Sequence, residues 1–341
     1  MQRRMIALAL AIGVALMFVP SAALAQYQLT NLVSNVKGQA RNTDPLLVNA
    51  WGVAYSPTGP FWISDEGSGW STLYNENGVK QGLEVLIPSA SGAGPGSPTG
   101  IVFNGSGEFA VQGWSAFFIF ATLDGTISGW APQSNPNDAI IAVNNSSSGA
   151  IYTGLAITNN PSGNVLFAAD NWNNKVDMYD GNFNLLGSFT DPTVPAGFAP
   201  FGIQDIDGLV FVSFAASSGA AGGYIDIFSE SGAFLKRLTQ GAPLNQPWGF
   251  AAAPKNFGPL SNTLLIGNNI NGNSTINAFN ALTGQFVGTV SDSNGPIKID
   301  QLWGITFGGG TVNNGVKNAL YFTAGPNNNL AGTFGVISLA P

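Results

Sequence analysis

Apolar positions along this chain fall in short runs bounded by Gly, Asn, Asp and Ser. Six of them are "FWISD" (61–65), "FFIFAT" (117–122), "VLFAAD" (165–170), "LVFVSF" (209–214), "TLLIGN" (263–268) and "ALYFTA" (319–324). Each has the length of a β-strand. None continues into the 3.6-residue apolar period of an amphipathic helix. Between runs lie turn sequences such as "NENG" (75–78) and "YDGN" (179–182). Gly and Asn tolerate the positive φ that tight hairpins require. The pattern predicts an all-β protein with little helix.

A longer regularity runs over the short one. The phrase "NAWGVA" (49–54) returns as "NQPWGFA" (245–251) and "DQLWGIT" (300–306). Its glycine has counterparts along the chain at Gly52, Gly100, Gly154, Gly202, Gly249 and Gly304, at intervals of 48, 54, 48, 47 and 55 residues. A catalytic motif normally occurs once, whereas a phrase repeated about every fifty residues marks a structural unit of propeller-blade size. In each unit a second run follows the glycine, and a third ends at Tyr74, Trp130, Tyr179, Phe228, Phe279 or Ile337. A fourth run, "LEVLIP" (83–88), is visible in the first unit. The expectation is a six-bladed β-propeller with four-stranded antiparallel blades. After Gly304 only three runs remain. The spare run "YQLTNLVS" (27–34) is expected to supply the outer strand of the last blade, closing the ring and removing an open sheet edge. A glycine on each inner strand permits close backbone approach at the crowded axis. The Trp before it either packs between adjacent blades or joins a ring of ligand-stacking aromatics.

The first 25 residues read differently. Arg3 and Arg4 precede an apolar run, Met5 to Val19, and Ala23-Leu24-Ala25 precedes Gln26. This is the layout of a secretory signal peptide cut between Ala25 and Gln26, and the run is shorter than a membrane-spanning helix needs. The expected organisation is a leader over 1–25 and a single propeller domain over 26–341. No later segment has the character of a membrane span. Without the two leader arginines, nine basic residues face eighteen acidic ones, a net charge of −9. The acidic residues are scattered, and basic clusters are missing, which disfavours a nucleic-acid partner.

Cys and His are both absent from the sequence. That excludes disulfides, thiol nucleophiles, Ser-His-Asp triads and the usual zinc, copper and iron sites. Burial and hydrogen bonds must hold the exported chain together. Any catalysis must rest on carboxylates, Tyr, Lys, Ser or Thr, or on a metal held by oxygen atoms.

The segments "NAWGVAYSPTGPFWISDEGSGWSTLY" (49–74), "DGTISGW" (124–130), "LNQPWGFAAAPKNFG" (244–258) and "LYFTAGP" (320–326) resemble a family of uncharacterised exported bacterial propellers. Some of its members occur in bacteria with PEP-CTERM sorting systems. The resemblance spans essentially the whole chain after the leader and implies export and the propeller fold. It brings no assigned activity. The chain shows no C-terminal sorting motif, so release rather than sorting is expected. More distantly the blades are similar to NHL repeats and to gluconolactonase and regucalcin propellers. That likeness implies a divalent metal bound by oxygens at the channel mouth, with a Glu on the first inner strand. Here that strand, "VNAWGVAYS" (48–56), has no Glu.

The candidate site lies at the end of the channel where inner strands begin and second-to-third-strand hairpins turn. Asn49, Gln246 and Gln301 precede inner strands and come with Trp51, Trp248 and Trp303. Asp65, Asp170 with Asn171, and Asn268 come from hairpins. If Asp65, Asp170 and Asn268 converged, Ca2+ or Mg2+ is the ion such oxygens would take. Equally, each Asp or Asn could cap its own loop through backbone N–H groups. "DNWNNKVD" (170–177) is the richest loop. Its Trp172 either stacks on a sugar or aromatic ligand or packs in a tight hairpin. Two functions follow. The first is a non-catalytic, secreted monomer without cofactor, binding a protein or glycan or scaffolding the cell surface. The alternative is a metal-dependent hydrolase or lactonase working at the channel mouth.

Overall fold

A computed structural model describes residues 26–160 and 162–340; the leader expected over 1–25 lies outside the described residues. Among the described residues the chain is all-β, with two three-residue 3-10 turns, Ser146–Ser148 and Gly258–Leu260. Six sheets form a ring, a six-bladed β-propeller. Blade one comprises Ala50–Tyr55, Phe61–Asp65, Trp70–Tyr74 and Lys80–Leu86, from axis to rim. Blade three comprises Tyr152–Ile157, Leu166–Asp170, Lys175–Tyr179 and Leu185–Phe189, and blades two, four and five repeat the plan. Blade six takes Leu302–Phe307, Leu320–Ala324 and Thr333–Leu339 from the C-terminal part of the chain. Its outer strand is Tyr27–Ser34, antiparallel to Thr333–Leu339, as the spare N-terminal run predicts. One element is additional: Asn42–Thr43 pairs in parallel with Val33 and Ser34, adding a short fifth strand to that blade.

The apolar runs explain why the ring holds. Both faces of each blade pack on neighbours, so the middle strands are apolar almost throughout rather than alternating. One buried cluster fills each blade interface. Trp62, Leu73 and Val85 of blade one meet Ile101, Phe118 and Phe120 of blade two. Phe61 and Tyr74 meet Tyr321 and Phe334 across the closure between blades six and one. Tyr27 locks the closing strand from the other side, donating its hydroxyl to the Phe257 carbonyl at 2.7 Å.

The recurring glycine has a geometric cause. A Cβ placed on Gly249 would stand 2.6 Å from the carbonyl oxygen of Trp303, and one on Gly304 2.9 Å from that of Trp51. Gly52 and Gly202 face the carbonyls of Thr99 and Trp248 more closely still, and Gly100 faces the Leu155 nitrogen. Gly154 has the most room, with Phe201 O at 3.1 Å. None of the six has a positive φ. Each is therefore the seat on which the next inner strand rests, and no turn conformation is involved.

Candidate functional site

The residue three positions before three of these glycines, Gly52, Gly249 and Gly304, does a second repeated job. Asn49, Gln246 and Gln301 all adopt left-handed backbone, with φ of 46°, 52° and 48°. This is uncommon for Gln, and here it turns the chain into the inner strand. Their N–H groups donate to Ala331 O (3.0 Å), Gly222 O (3.2 Å) and Ile270 O (3.2 Å) in the hairpins of the preceding blades. Their carbonyls accept from Glu66 (3.2 Å), Asn269 (2.9 Å) and Gly325 (2.9 Å) in their own hairpins. Each residue thus staples two neighbouring blades. The Asn49 side chain adds to the staple: its Nδ2 donates to Glu66 Oε2 at 2.7 Å, and its Oδ1 accepts from Trp303 Nε1 at 2.9 Å. Gln246 Nε2 donates to Ala220 O at 2.8 Å. Gln301 Oε1 is buried with no hydrogen-bond donor among the described residues.

Trp51, Trp248 and Trp303 meet at the axis. They come from blades one, five and six, and all three are buried. Trp51 and Trp303 stack with ring centroids 3.5 Å apart, and Trp248 sits edge-on to both at 6.3 and 6.0 Å. Leu123 and Phe201 complete the cluster. Trp248 Nε1 donates to Thr153 O at 2.9 Å, whereas Trp51 Nε1 has no acceptor among the described residues. The Trp of the repeated phrase therefore packs against its counterparts in neighbouring blades and closes the channel at the hairpin end. From the opposite end the channel is open as a hollow of about 380 Å3, lined by Val53, Ile101, Phe250 and Ile305. Gln204 and Thr306 also line it, two positions after their glycines where other blades carry Ala or Val. The sequence reading missed this pair. Aligning the six units on their glycines exposes it.

The hairpin carboxylates and amides are engaged in hydrogen bonds within their own blades and to the segments beside them. Asp65 is fully buried and accepts from Thr72 Oγ1 at 2.7 Å, while its Oδ1 has no donor among the described residues. Burial drives its pKa well above the ordinary carboxylate range. Asn268 donates to Pro243 O and accepts from the Asn245 N–H, both at 2.9 Å. Asp170 accepts from the N–H groups of Ile151 and Asn173, each at 3.2 Å, and from Asn173 Nδ2 at 2.7 Å. Asn171 Nδ2 donates to Pro200 O at 2.9 Å. Asp65, Asp170 and Asn268 stand in blades one, three and five and are not brought together. Among the described residues no three His, Cys, Asp or Glu side chains gather as a metal site.

Trp172 is different. It sits at the tip of the hairpin that Asp170 and Asn171 pin at its base, and its side chain is 71% exposed. The indole lies over Gly149, close enough that a Cβ there would touch it at 3.4 Å. Exposed Ser146, Ser147 and Ser148 run up to Gly149, and exposed Asn173 follows Trp172, so hydroxyl and amide groups flank this hairpin tip in the chain. The other strongly exposed tryptophan, Trp114, lies between the first two strands of blade two, at the opposite end of the ring. The structure thus offers one aromatic platform at the hairpin end and a blind channel at the other.

Comparisons with known proteins extend these observations. No family model matches the chain. Among solved structures it is similar to a gluconolactonase from Xanthomonas campestris, with TM-score 0.56 and 12% identity over 86% of this chain and 88% of that one. It is also similar to virginiamycin B lyase from Staphylococcus aureus, with TM-score 0.54 and 16% identity over 92% and 99% of the two chains. At such identities the likeness shows the propeller fold alone. Sequence relatives are closer. Uncharacterized protein L690 of Acanthamoeba polyphaga mimivirus is 30% identical over 311 residues, covering 84% of this chain and 80% of that protein. Uncharacterized protein R648 of the same virus is 31% identical over 343 residues, covering 94% and 82%. With that likeness running along nearly its whole length, the chain belongs to the same family as these two mimivirus proteins.

Proposed function

We propose that this chain is an exported, non-catalytic binding propeller that takes a glycan on the Trp172 hairpin. The carrying observation is the placement of Trp172. A large aromatic is left 71% exposed on a loop held rigid by Asp170 and Asn171. An exposed indole forgoes roughly 2 kcal/mol of burial, so a pinned one suits stacking on a ligand face. The flanking hydroxyls and amides suit the uncharged hydroxyls of a sugar. The leader layout over 1–25 supports export, with Gln26 as the first mature residue. Edman sequencing of protein recovered outside the cytoplasm tests that part.

Binding is tested on a glycan array with the mature chain, followed by calorimetry on any hit. Trp172→Ala is expected to weaken the hit about tenfold, as for loss of a stacked aromatic. Trp172→Phe should keep part of the affinity. An array with no saturable hit, or an Ala variant that binds as well as the parent, refutes the proposal. Protein pull-downs would then take precedence.

A second reading keeps a divalent ion at the hairpin end. It is favoured by oxygens there that lack donors: Gln301 Oε1 and Asn329 Oδ1 are both buried without one among the described residues. Asn49 Oδ1 and Asn329 Oδ1 both face the Cα of Gly325. Elemental analysis, with melting curves in calcium and in chelator, decides this reading. A stoichiometric ion whose removal lowers the melting temperature supports it, and would justify screening lactones. No ion and no shift removes it.

A further inference from the structure

Blade five is the shortest at its rim. Its outer strand, Phe286–Thr289, has four residues, and the chain then departs into the small hairpin Ser291–Asp292 with Gly295–Pro296. Its neighbour in blade six is long: Tyr27–Ser34 has eight residues and Thr333–Leu339 has seven. A long sheet packed beside a short one keeps part of its face uncovered. Buried Val290, Ile297 and Ile299 fill some of the difference. The remainder is a cavity of about 390 Å3. Leu29, Phe322 and Ala324 of blade six form its apolar wall, and Lys298 and Asp300 of the connecting segment line the other side. Its size is that of a small-molecule site, and its lining is mixed, with Asn31, Gln39 and Thr333 alongside the apolar wall.

Lys298 and Asp300 bring one charge of each sign to this cavity, and they differ in the hydrogen-bonding capacity they leave free. Asp300 is occupied, its two carboxylate oxygens accepting the N–H groups of Gly272 (2.5 Å) and Asn327 (3.0 Å). Lys298 is exposed and makes no ion pair among the described residues. Beyond Lys298 lies a second hollow of about 490 Å3 that includes Asp292, whose carboxylate disfavours an anion there. We propose that the first cavity binds a small amphipathic carboxylate, with its head at Lys298 and its hydrocarbon against Leu29, Phe322 and Ala324. Such a ligand bridges the ring-closing strand and the connection from blade five, so its binding stabilises the closure by mass action.

The test uses decanoate, below its micelle concentration, on the mature chain. Calorimetry should show one saturable site, and the melting temperature should rise with decanoate. Lys298→Gln, an exposed and structurally mild change, is expected to weaken decanoate about tenfold through loss of a charge-assisted contact. Decanol should be unaffected by that change. Leu29→Trp, which fills the cavity, should block both while circular dichroism stays that of the parent. No saturable decanoate binding by the parent chain overturns the proposal. So does decanoate binding that neither variant changes.

Discussion

Replacing one inner-strand glycine by alanine probes the ring directly. At Gly249 the added methyl would stand 2.6 Å from Trp303 O and 3.0 Å from Ile305 Cγ1, where real Cβ atoms essentially never approach within 3.0 Å. The neighbour is backbone, and the ring is closed, so blade six cannot swing outward without displacing blade one. Overpacking of this kind costs about 1–3 kcal/mol. The same substitution restricts the unfolded chain and returns about 0.4–1 kcal/mol. The balance is a loss of about 1.3 kcal/mol at Gly249. Gly202, whose Cβ would lie closer to Trp248 O, should lose at least as much. Gly154, with 3.1 Å to Phe201 O, should lose least of the six. Gly82 on the outer strand of blade one has nothing within 4 Å and no positive φ, so Gly82→Ala should be neutral or gain about 0.5 kcal/mol. Urea midpoints and melting temperatures of these four variants supply the comparison. Equal stabilities for Gly82→Ala and Gly249→Ala would refute the seating argument. A Gly154→Ala loss as large as that of Gly202→Ala would refute the ordering by distance.

Three further outcomes follow from the hydrogen bonds. Asp170→Ala strands the N–H groups of Ile151 and Asn173 and should cost about 1–3 kcal/mol in denaturant unfolding; a loss near zero would mean that Asp170 does not pin the loop. Tyr27→Phe removes the bonds to Phe257 O (2.7 Å) and from Leu260 N (3.3 Å) and should cost about 1 kcal/mol by the same measurement, whereas an unchanged midpoint would mean the closing strand is held without them. Asp226 is buried and shares Arg237 with Asp191, and burial pushes its pKa up to about 6. The folded chain therefore holds this proton more tightly than the unfolded chain. That contribution is greatest below about pH 4 and declines as pH rises to about 6. Asp226→Asn should flatten the melting-temperature slope in that window, and an unaltered slope contradicts the assignment.

The fold was legible because its unit repeats. Six glycines at nearly constant spacing imply six equivalent positions, and three runs after Gly304 imply a borrowed strand. The two-residue strand Asn42–Thr43 was not legible, since its pairing depends on where closure leaves Val33. The site was less readable for a chemical reason. Asn and Gln are equally suited to ligate an ion or to turn a chain, and residue type alone does not separate the two. At Asn49, Gln246 and Gln301 the left-handed backbone shows the turn. The tryptophans needed the third dimension: Trp51 and Trp303 lie 252 positions apart and stack only because the ring closes. Trp172 stood out in the sequence through its Asn neighbours, but its exposure depends on how Gly149 passes beneath it. The cavity beside Lys298 arises from unequal strand lengths in adjacent blades, which no motif encodes.

The central claim is that the repeated Trp-Gly phrase builds the ring while Trp172 meets the ligand. The most direct measurement is the indole N–H region of a transverse-relaxation-optimised spectrum, with eight tryptophan signals in all. Titration is with the oligosaccharide selected on the array, and the Trp172 signal is assigned by its loss in Trp172→Phe. The account predicts that this signal moves to saturation while those of Trp51, Trp248 and Trp303 stay in place. Movement of the three axial signals with Trp172 unmoved would contradict it and return the binding site to the channel axis.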